Sequence, residues 1–132
     1  MPEMLPITAL RPTLHVCTTC RAGREPIAGE AVAGQVLFNR LEGLLSADDS
    51  VRLRPVACLA SCARGCSATI SMPGKWTYLL GGLNADIAPD LLTYGAAYAA
   101  SKTGTLMPSR RPASLADAVV ARFPAQDTEQ AA

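Results

Sequence analysis

All five cysteines of this chain fall in two short clusters, and each cluster directly follows an apolar run of strand length. The first cluster is C-T-T-C at 17–20, and the second is C-L-A-S-C-A-R-G-C at 58–66. Cysteines kept only for packing would be scattered along the chain. Two short-spaced pairs that meet in space supply four thiolates around one centre, as a tetrahedral metal ion or an iron–sulfur cluster requires. The fold must therefore bring these two loops together.

Length and composition limit the classes of protein that can carry these clusters. With 132 residues the chain suits one domain, and its 49% hydrophobic content excludes global disorder. The net charge of +1 gives no basis for binding nucleic acid or an anionic membrane surface. No apolar run approaches the roughly 20 residues of a spanning helix, and no secretory signal pattern opens the chain. We therefore expect a cytoplasmic protein with reduced thiols, which the odd number of cysteines also favours over a disulfide framework.

Apolar periodicity and turn residues predict an alternating order of strands and helices. Apolar residues recur at helical spacing between 30 and 46, whereas the dipeptide Pro73-Gly74 predicts a hairpin. Ser114 with Asp117 resembles the capping box of a last short helix. The predicted elements are strand 13–17, helix 30–46, strands 51–57, 68–72 and 76–80, a helix that Asn84 or Asp86 caps, and the short helix after 114.

The strand–helix–strand unit at the start of this order implies two parallel strands with a right-handed crossover. The hairpin and the second helix then extend the same sheet, which predicts a thioredoxin-like α/β sandwich with a four-stranded mixed sheet in the order β-α-β-β-β-α. The loops after the two parallel strands lie at one sheet end, so the cysteine clusters meet there. We assign this cluster-binding domain to 13–100, a loose leader to 1–12, a linker with the short C-terminal helix to 101–124, and a flexible tail to 125–132.

The order of motifs resembles that of the thioredoxin-like [2Fe-2S] ferredoxins and of the related small subunit of respiratory complex I. The resemblance covers roughly 13–100, through C-L-A-S-C, A-R-G-C, an apolar strand, P-G-K-W, G-G-L and a helix. It implies a [2Fe-2S] cluster held by Cys58 and Cys62, as C-x-x-x-C after the second strand. It also implies that Cys17 and Cys20 of the first loop complete the ligand set.

A second resemblance, through R-G-C and P-G-K-W-T-Y, is to a bacterial family of predicted metal-binding proteins. Members of that family tend to be encoded beside cobalamin biosynthesis functions. Together the two resemblances imply a small one-electron carrier or accessory redox protein for a partner enzyme, in cobalamin (tetrapyrrole) metabolism. The expected partner is a redox protein, a homodimer is compatible with the sequence, and neither nucleic acid nor a membrane is expected.

Cys66 departs from the ferredoxin pattern, because it stands where that family has an apolar residue or proline. The first pair is also spaced more tightly than is usual in these ferredoxins, which leaves open which four of the five thiols bind. We expect Cys66 to be a spare thiol and its replacement to keep the cluster. In the competing arrangement, Cys66 is the fourth ligand because the tight spacing stops Cys17 or Cys20 from reaching the iron.

Two other chemistries suit the same cysteines. Four thiolates bind Zn2+ as well as iron, so a zinc-stabilised structural or metal-handling module is the main alternative. Thiol–disulfide exchange is a further alternative, but a redox C-x-x-C should open a helix, and the predicted helix starts about ten residues after Cys20.

The only histidine, His15, is expected to be solvated or packed rather than a Rieske-like ligand. Without a P-loop, a G-x-G-x-x-G motif or a carboxylate near that histidine, the chain is not expected to be an enzyme.

Overall fold

Within the part of the chain that the computed structural model describes, strand β1 (Thr13–Cys17) lies inside a five-stranded mixed sheet. The described residues are 11–21, 25, 27–45, 51–60 and 65–125. The other strands are β2 (Arg52–Val56), β3 (Ala68–Ser71), β4 (Thr77–Leu80) and β5 (Val119–Phe123). The α-helices are α1 (Ala33–Leu45) and α2 (Ala88–Ala100), with short 3-10 helices at Ala85–Ile87, Pro108–Arg110 and Ala113–Leu115. None of the helices in these ranges is long and apolar enough to cross a membrane.

The sheet order is β2-β1-β3-β4-β5, and it confirms the predicted pairing of the first two strands. β1 and β2 run parallel, with Thr13 opposite Arg52 and Cys17 opposite Val56. β1 also pairs antiparallel with β3, and β3 pairs antiparallel with β4 as the predicted hairpin. Because β1 and β2 are parallel, their carboxyl ends, which precede the two cysteine loops, lie at the same end of the sheet.

The sheet buries one face against the two helices. Along β1, Leu14 and Val16 are fully buried, while Thr13 and His15 on the alternate face are only partly buried. α1 and α2 contact each other and cover the face that carries Leu14 and Val16. The helices contribute the buried side chains of Leu37, Leu41, Leu91, Tyr94 and Tyr98. Full burial of each leucine contributes roughly 2 kcal/mol to the hydrophobic free energy of folding.

The predicted short C-terminal helix is wrong, and a strand takes its place. Only one 3-10 turn forms at Ala113–Leu115, and β5 then pairs antiparallel with β4, so the described sheet has five strands rather than the predicted four. The Ser114 hydroxyl donates to the Asp90 carboxylate of α2 at 2.6 Å and does not cap a longer helix. The two valines that open β5 favour a strand, because β-branched side chains pack well beside the free edge of β4. Part of the segment predicted as linker and helix therefore belongs to the sheet.

The P-G-K-W motif is hydrogen-bonded to the C-terminal end of α2 and so joins that helix to the hairpin of β3 and β4. Lys75 is partly buried, and its ammonium donates to the Ala99 carbonyl oxygen at 2.7 Å and to the Tyr98 carbonyl oxygen at 3.4 Å. The Tyr98 hydroxyl donates back to the Trp76 carbonyl oxygen at 2.6 Å. A cation at the C-terminal end of a helix satisfies free carbonyls and meets the negative end of the helix dipole. These motif residues therefore stabilise the fold rather than form the cysteine site.

The first turn of α1 rests directly on the first cysteine loop. The Gly34 N–H donates to the Cys20 carbonyl oxygen at 2.8 Å. A Cβ atom at Gly34 would collide with the carbonyl oxygen of Cys17 and come within 3.2 Å of the Cys20 nitrogen. Glycine is therefore required at this position by the close approach of helix and loop.

Gly34→Ala should lower the free energy of unfolding by about 2 kcal/mol or more, because the backbone of the cysteine loop must move to admit the methyl group. Gly43→Ala is the matched control in the same helix, since a Cβ there meets nothing within 4 Å. It should raise the free energy of unfolding by about 0.5–1 kcal/mol. Urea denaturation followed by circular dichroism measures both values, and equal effects of the two variants would contradict the close approach.

Candidate metal centre

The loop after β1 is hydrogen-bonded to the end of β2. The Thr18 N–H donates to the Val56 carbonyl oxygen at 2.9 Å, and the Thr18 hydroxyl donates to the same oxygen at 3.4 Å. The Thr19 hydroxyl donates to the Ala57 carbonyl oxygen, one residue before Cys58. The two threonines of C-T-T-C therefore fasten the first cysteine loop to the start of the second, and the predicted meeting of these loops at one sheet end is confirmed.

Cys17 and Cys20 are almost completely buried, with 4% of each residue exposed. The Cys17 sulfur lies 3.7 Å from the Ala57 carbonyl oxygen and 3.7 Å from the Thr19 hydroxyl oxygen. The Cys17 N–H donates to the Ser67 carbonyl oxygen at 3.0 Å, which joins this loop to the segment before β3. Cys17 therefore stands where the three chain segments that carry cysteine meet.

Cys58 is exposed and lies on the outside of the site. Its sulfur accepts a hydrogen bond from the Ala60 N–H at 3.2 Å. Ala60 has a φ of 57°, in the left-handed region that residues with a side chain seldom adopt. The predicted ligand Cys62 lies outside the described residues.

Cys66 is fully buried just before β3 and contacts the first cysteine loop. Burial, the neighbouring Cys20 thiol, which also hydrogen-bonds to it, and the nearby Cys17 raise the pKa of Cys66 to about 12. The Cys66 N–H donates to the Leu83 carbonyl oxygen at 3.3 Å, and the Leu83 N–H donates to the Cys66 carbonyl oxygen at 3.0 Å. The structure thus gathers Cys17, Cys20 and Cys66 into a buried thiol cluster, with Cys58 outside it.

The donors at this end of the sheet are soft sulfur atoms. Three buried thiols and one exposed thiol fit iron in a cluster, or Zn2+, and do not fit a hard cation such as Mg2+. In the described ranges, no three His, Cys, Asp or Glu side chains are placed so that they could already hold a metal ion. His15 lies farther back on β1, opposite Arg54 and Thr69.

Two features of the site were not predicted from the sequence. One is the pair of threonine contacts, for which the only signal is the presence of two hydroxyl side chains between the thiols of C-T-T-C. The other is the contact between Cys20 and Cys66, which depends on β3 lying beside β1. Local patterns predict the hairpin of β3 and β4, but they do not predict which of its strands joins the parallel pair.

Comparison with known proteins identifies a family and a fold. Residues 14–125 match the family described as "Protein of unknown function (DUF1636)". No curated protein matches the chain in sequence. A structure of a thioredoxin-like [2Fe-2S] ferredoxin from Aquifex aeolicus is similar, with 12% identity over 85% of this chain and 92% of that chain and a TM-score of 0.55. A wild-type structure of that ferredoxin at 1.5 Å resolution gives 13% identity over 84% and 97% of the two chains and a TM-score of 0.53. At such low identity, the similarity to these structures establishes a shared fold alone. The shared fold confirms the predicted thioredoxin-like α/β class.

In the metal-free protein at pH 8, iodoacetamide should alkylate Cys58 at least about 100-fold faster than Cys66, because the attacking species is an accessible thiolate. The raised pKa of Cys66 leaves little thiolate at this pH, so its alkylation rate should keep rising as the pH is raised toward 10. Mass spectrometry of the cysteine peptides measures both rates. Unfolding in urea is the control and should make the rates similar, whereas similar rates in the folded protein would contradict the burial of Cys66.

Proposed function

The chain belongs to the family of unknown function DUF1636, and we propose that it is a small [2Fe-2S] iron–sulfur protein that passes single electrons to a partner enzyme. The observation that carries this proposal is the meeting of two cysteine loops at one sheet end, held by Thr18 and Thr19. The resemblance to the ferredoxin motifs assigns the ligands Cys17, Cys20, Cys58 and Cys62, and Cys66 lies beside the first pair. The similar solved structures support the proposal because they are [2Fe-2S] ferredoxins with this fold.

The chain's own residues would set the properties of such a centre. A bound [2Fe-2S] cluster supplies a site that accepts and releases one electron. Burial of Cys17 and Cys20 keeps water from the inner side of the site, whereas exposed Cys58 puts its outer side at the protein surface. The Ala60 N–H donates to the Cys58 sulfur and offsets negative charge there, which favours the reduced state. We therefore place the docking side for a redox partner around Cys58.

A carrier role agrees with the chemistry that the sequence offers. The candidate functional residues are thiols, and no acid–base pair in the sequence accompanies them. Reduced thiols also favour a cytoplasmic setting. Electron transfer to a separate enzyme needs only the centre and a docking surface, so the proposal assigns no catalytic residue.

Cobalamin (tetrapyrrole) metabolism is the narrower setting that we propose, and its support is the resemblance carried by R-G-C and P-G-K-W-T-Y. Lys75 and Trp76 of the second motif hold α2, so they support a shared fold more directly than a shared pathway.

In cobalamin metabolism, the reduced protein should be reoxidised by an enzyme that acts on a corrinoid. Stopped-flow absorbance, with an unrelated oxidoreductase as the control acceptor, measures that rate.

A structural zinc site is the second candidate, because burial of Cys17, Cys20 and Cys66 also suits a closed four-thiolate site. Thiol–disulfide exchange is less well supported. The raised pKa of Cys66 disfavours a reactive thiolate.

Protein purified without oxygen should be red-brown and should contain about two irons and about two acid-labile sulfides per chain. Reduction with dithionite should bleach the visible bands and give the EPR signal of one unpaired electron. Cys58→Ser and Cys62→Ser should each abolish the cluster or grossly alter it, because a hard hydroxyl replaces a soft thiolate. Thr93→Ala, at an exposed position of α2, is the control and should keep the full iron content.

Two results would count against the iron–sulfur proposal. A colourless protein with about one zinc per chain would favour the structural zinc site. Normal iron and sulfide content in both cysteine variants would contradict the ligand assignment of the second loop.

A further inference from the structure

The two arginines of β2 stand on the sheet face that lies away from the α-helices. Arg52 and Arg54 are exposed, and β2 forms one edge of the sheet. Side chains two residues apart along a strand share a face. Arg54 lies opposite His15 of β1, which is on the face away from Leu14 and Val16. Because α1 and α2 cover the face of Leu14, the two arginines belong to the opposite face.

Each arginine begins a row of side chains that carry N–H or O–H donors. Each row crosses from β2 through β1 to β3, because β1 lies between the other two strands. The two rows, which we call the basic face, consist of Arg52, Thr13 and Ser71, and of Arg54, His15 and Thr69. An arginine side chain is always charged, and its fork of N–H donors matches the oxygens of a carboxylate. The basic face is therefore suited to binding carboxylates.

The positive charge at this edge is not balanced by the described side chains around it. Among the residues that the structure describes, no carboxylate hydrogen-bonds or forms an ion pair with Arg52 or Arg54. Both arginines line a pocket of about 410 Å³ beside β2, and its other charged lining residues in the described ranges are Arg11 and Glu42. Three cations thus stand against one anion. Unbalanced charge of one sign attracts and orients a partner of the opposite sign.

The basic face lies close to the exposed thiol of the second cysteine loop. Cys58 follows the end of β2 by two residues, and it is exposed. Arg54 and Cys58 are four residues apart in the chain, so at most about 14 Å separates their Cα atoms. A standard protein interface covers about 800 Å² on each partner, which is enough to include both positions. A protein that docks on the basic face therefore also reaches Cys58.

We propose that the basic face is the docking surface for a partner protein, and that this partner presents a surface rich in Asp and Glu to Arg52 and Arg54. The proposal rests on the proposed electron-carrier function, in which the partner is the enzyme that receives the electron, and it adds the chemistry by which that enzyme is recognised. Electrostatic docking suits a carrier, because it speeds association and keeps the complex short-lived.

Other kinds of partner match the basic face less well. Pro55 has no N–H, so it interrupts the edge of β2 and disfavours the addition of a strand from another protein. A nucleic-acid complex makes several phosphate contacts, roughly 6–10 in a tight one, and a polybasic surface is needed for an anionic membrane. Two exposed arginines on a chain of net charge +1 fall short of both requirements.

Charge reversal at β2 tests the proposal with a labelled poly-glutamate peptide as the probe for an acidic protein surface. The test variant is Arg52→Glu with Arg54→Glu. The control is Arg40→Glu with Lys102→Glu, which changes the net charge equally at exposed positions outside the basic face. Fluorescence anisotropy at low ionic strength gives the Kd for each purified protein. The test variant should bind at least about 10-fold more weakly than wild type, and the control less than about 3-fold more weakly.

Circular dichroism checks that the variants are folded. If the charge-reversed β2 variant does not fold, Arg52→Gln with Arg54→Gln removes the charge without reversing it and should also weaken binding. Added salt should weaken wild-type binding, because it screens exposed charges. Absence of poly-glutamate binding by wild type, or an equal loss in test and control variants, overturns the proposal. Tighter wild-type binding of single-stranded DNA or of phosphatidylglycerol vesicles than of poly-glutamate also overturns it.

The peptide titration separates this inference from the proposed function, because it does not depend on a bound cluster. Protein that contains no iron but binds poly-glutamate through Arg52 and Arg54 contradicts the iron–sulfur carrier and supports the acidic partner. Protein with a normal cluster whose peptide binding is unchanged by the β2 substitutions supports the carrier and overturns the docking surface.

Discussion

The parallel pairing of β1 with β2 is the constraint on which the cysteine site depends. It puts the carboxyl ends of both strands at one end of the sheet, so the loops that follow them meet. Thr18 and Thr19 then hydrogen-bond the first loop to the last residue of β2 and to the residue after it. Because Gly34 has no side chain, the first turn of α1 packs directly against the same loop from the helical layer. The position of the thiols is thus set by backbone contacts on two sides.

The contacts of the site explain which parts of it were predictable. Local periodicity predicted β1, α1, β2 and the hairpin, because each has its own apolar pattern and turn residues. It failed at β5, where Ser114 and Asp117 resemble a capping box but Ser114 instead contacts Asp90 of α2. The contact between Cys20 and Cys66 was missed for a related reason. Both features depend on which elements become neighbours in the sheet, and short-range sequence patterns carry little information about that.

Burial sorts the thiols into an inner and an outer set. Cys17, Cys20 and Cys66 are enclosed, and the raised pKa of Cys66 keeps that thiol neutral at ordinary pH. A neutral thiol is tolerated in the core, so the metal-free chain can fold around it. Metal binding must then displace protons from buried sulfurs, which makes loading of the site dependent on pH. Cys58 is exposed and hydrogen-bonded to Ala60, so in the proposed function it is the thiol at the surface where a redox partner would dock.

Anomalous X-ray scattering from crystals grown without oxygen is the most direct test of the proposed iron–sulfur centre, because it gives the identity and the position of the metal in one measurement. We expect a strong signal at the iron absorption edge between the loop after β1 and the loop after β2, in contact with the buried thiol cluster. A signal that appears only at the zinc edge would replace the redox centre with a structural one. An iron signal away from these two loops, or disulfides joining their thiols in oxygen-free crystals, would contradict an iron–sulfur centre at this end of the sheet.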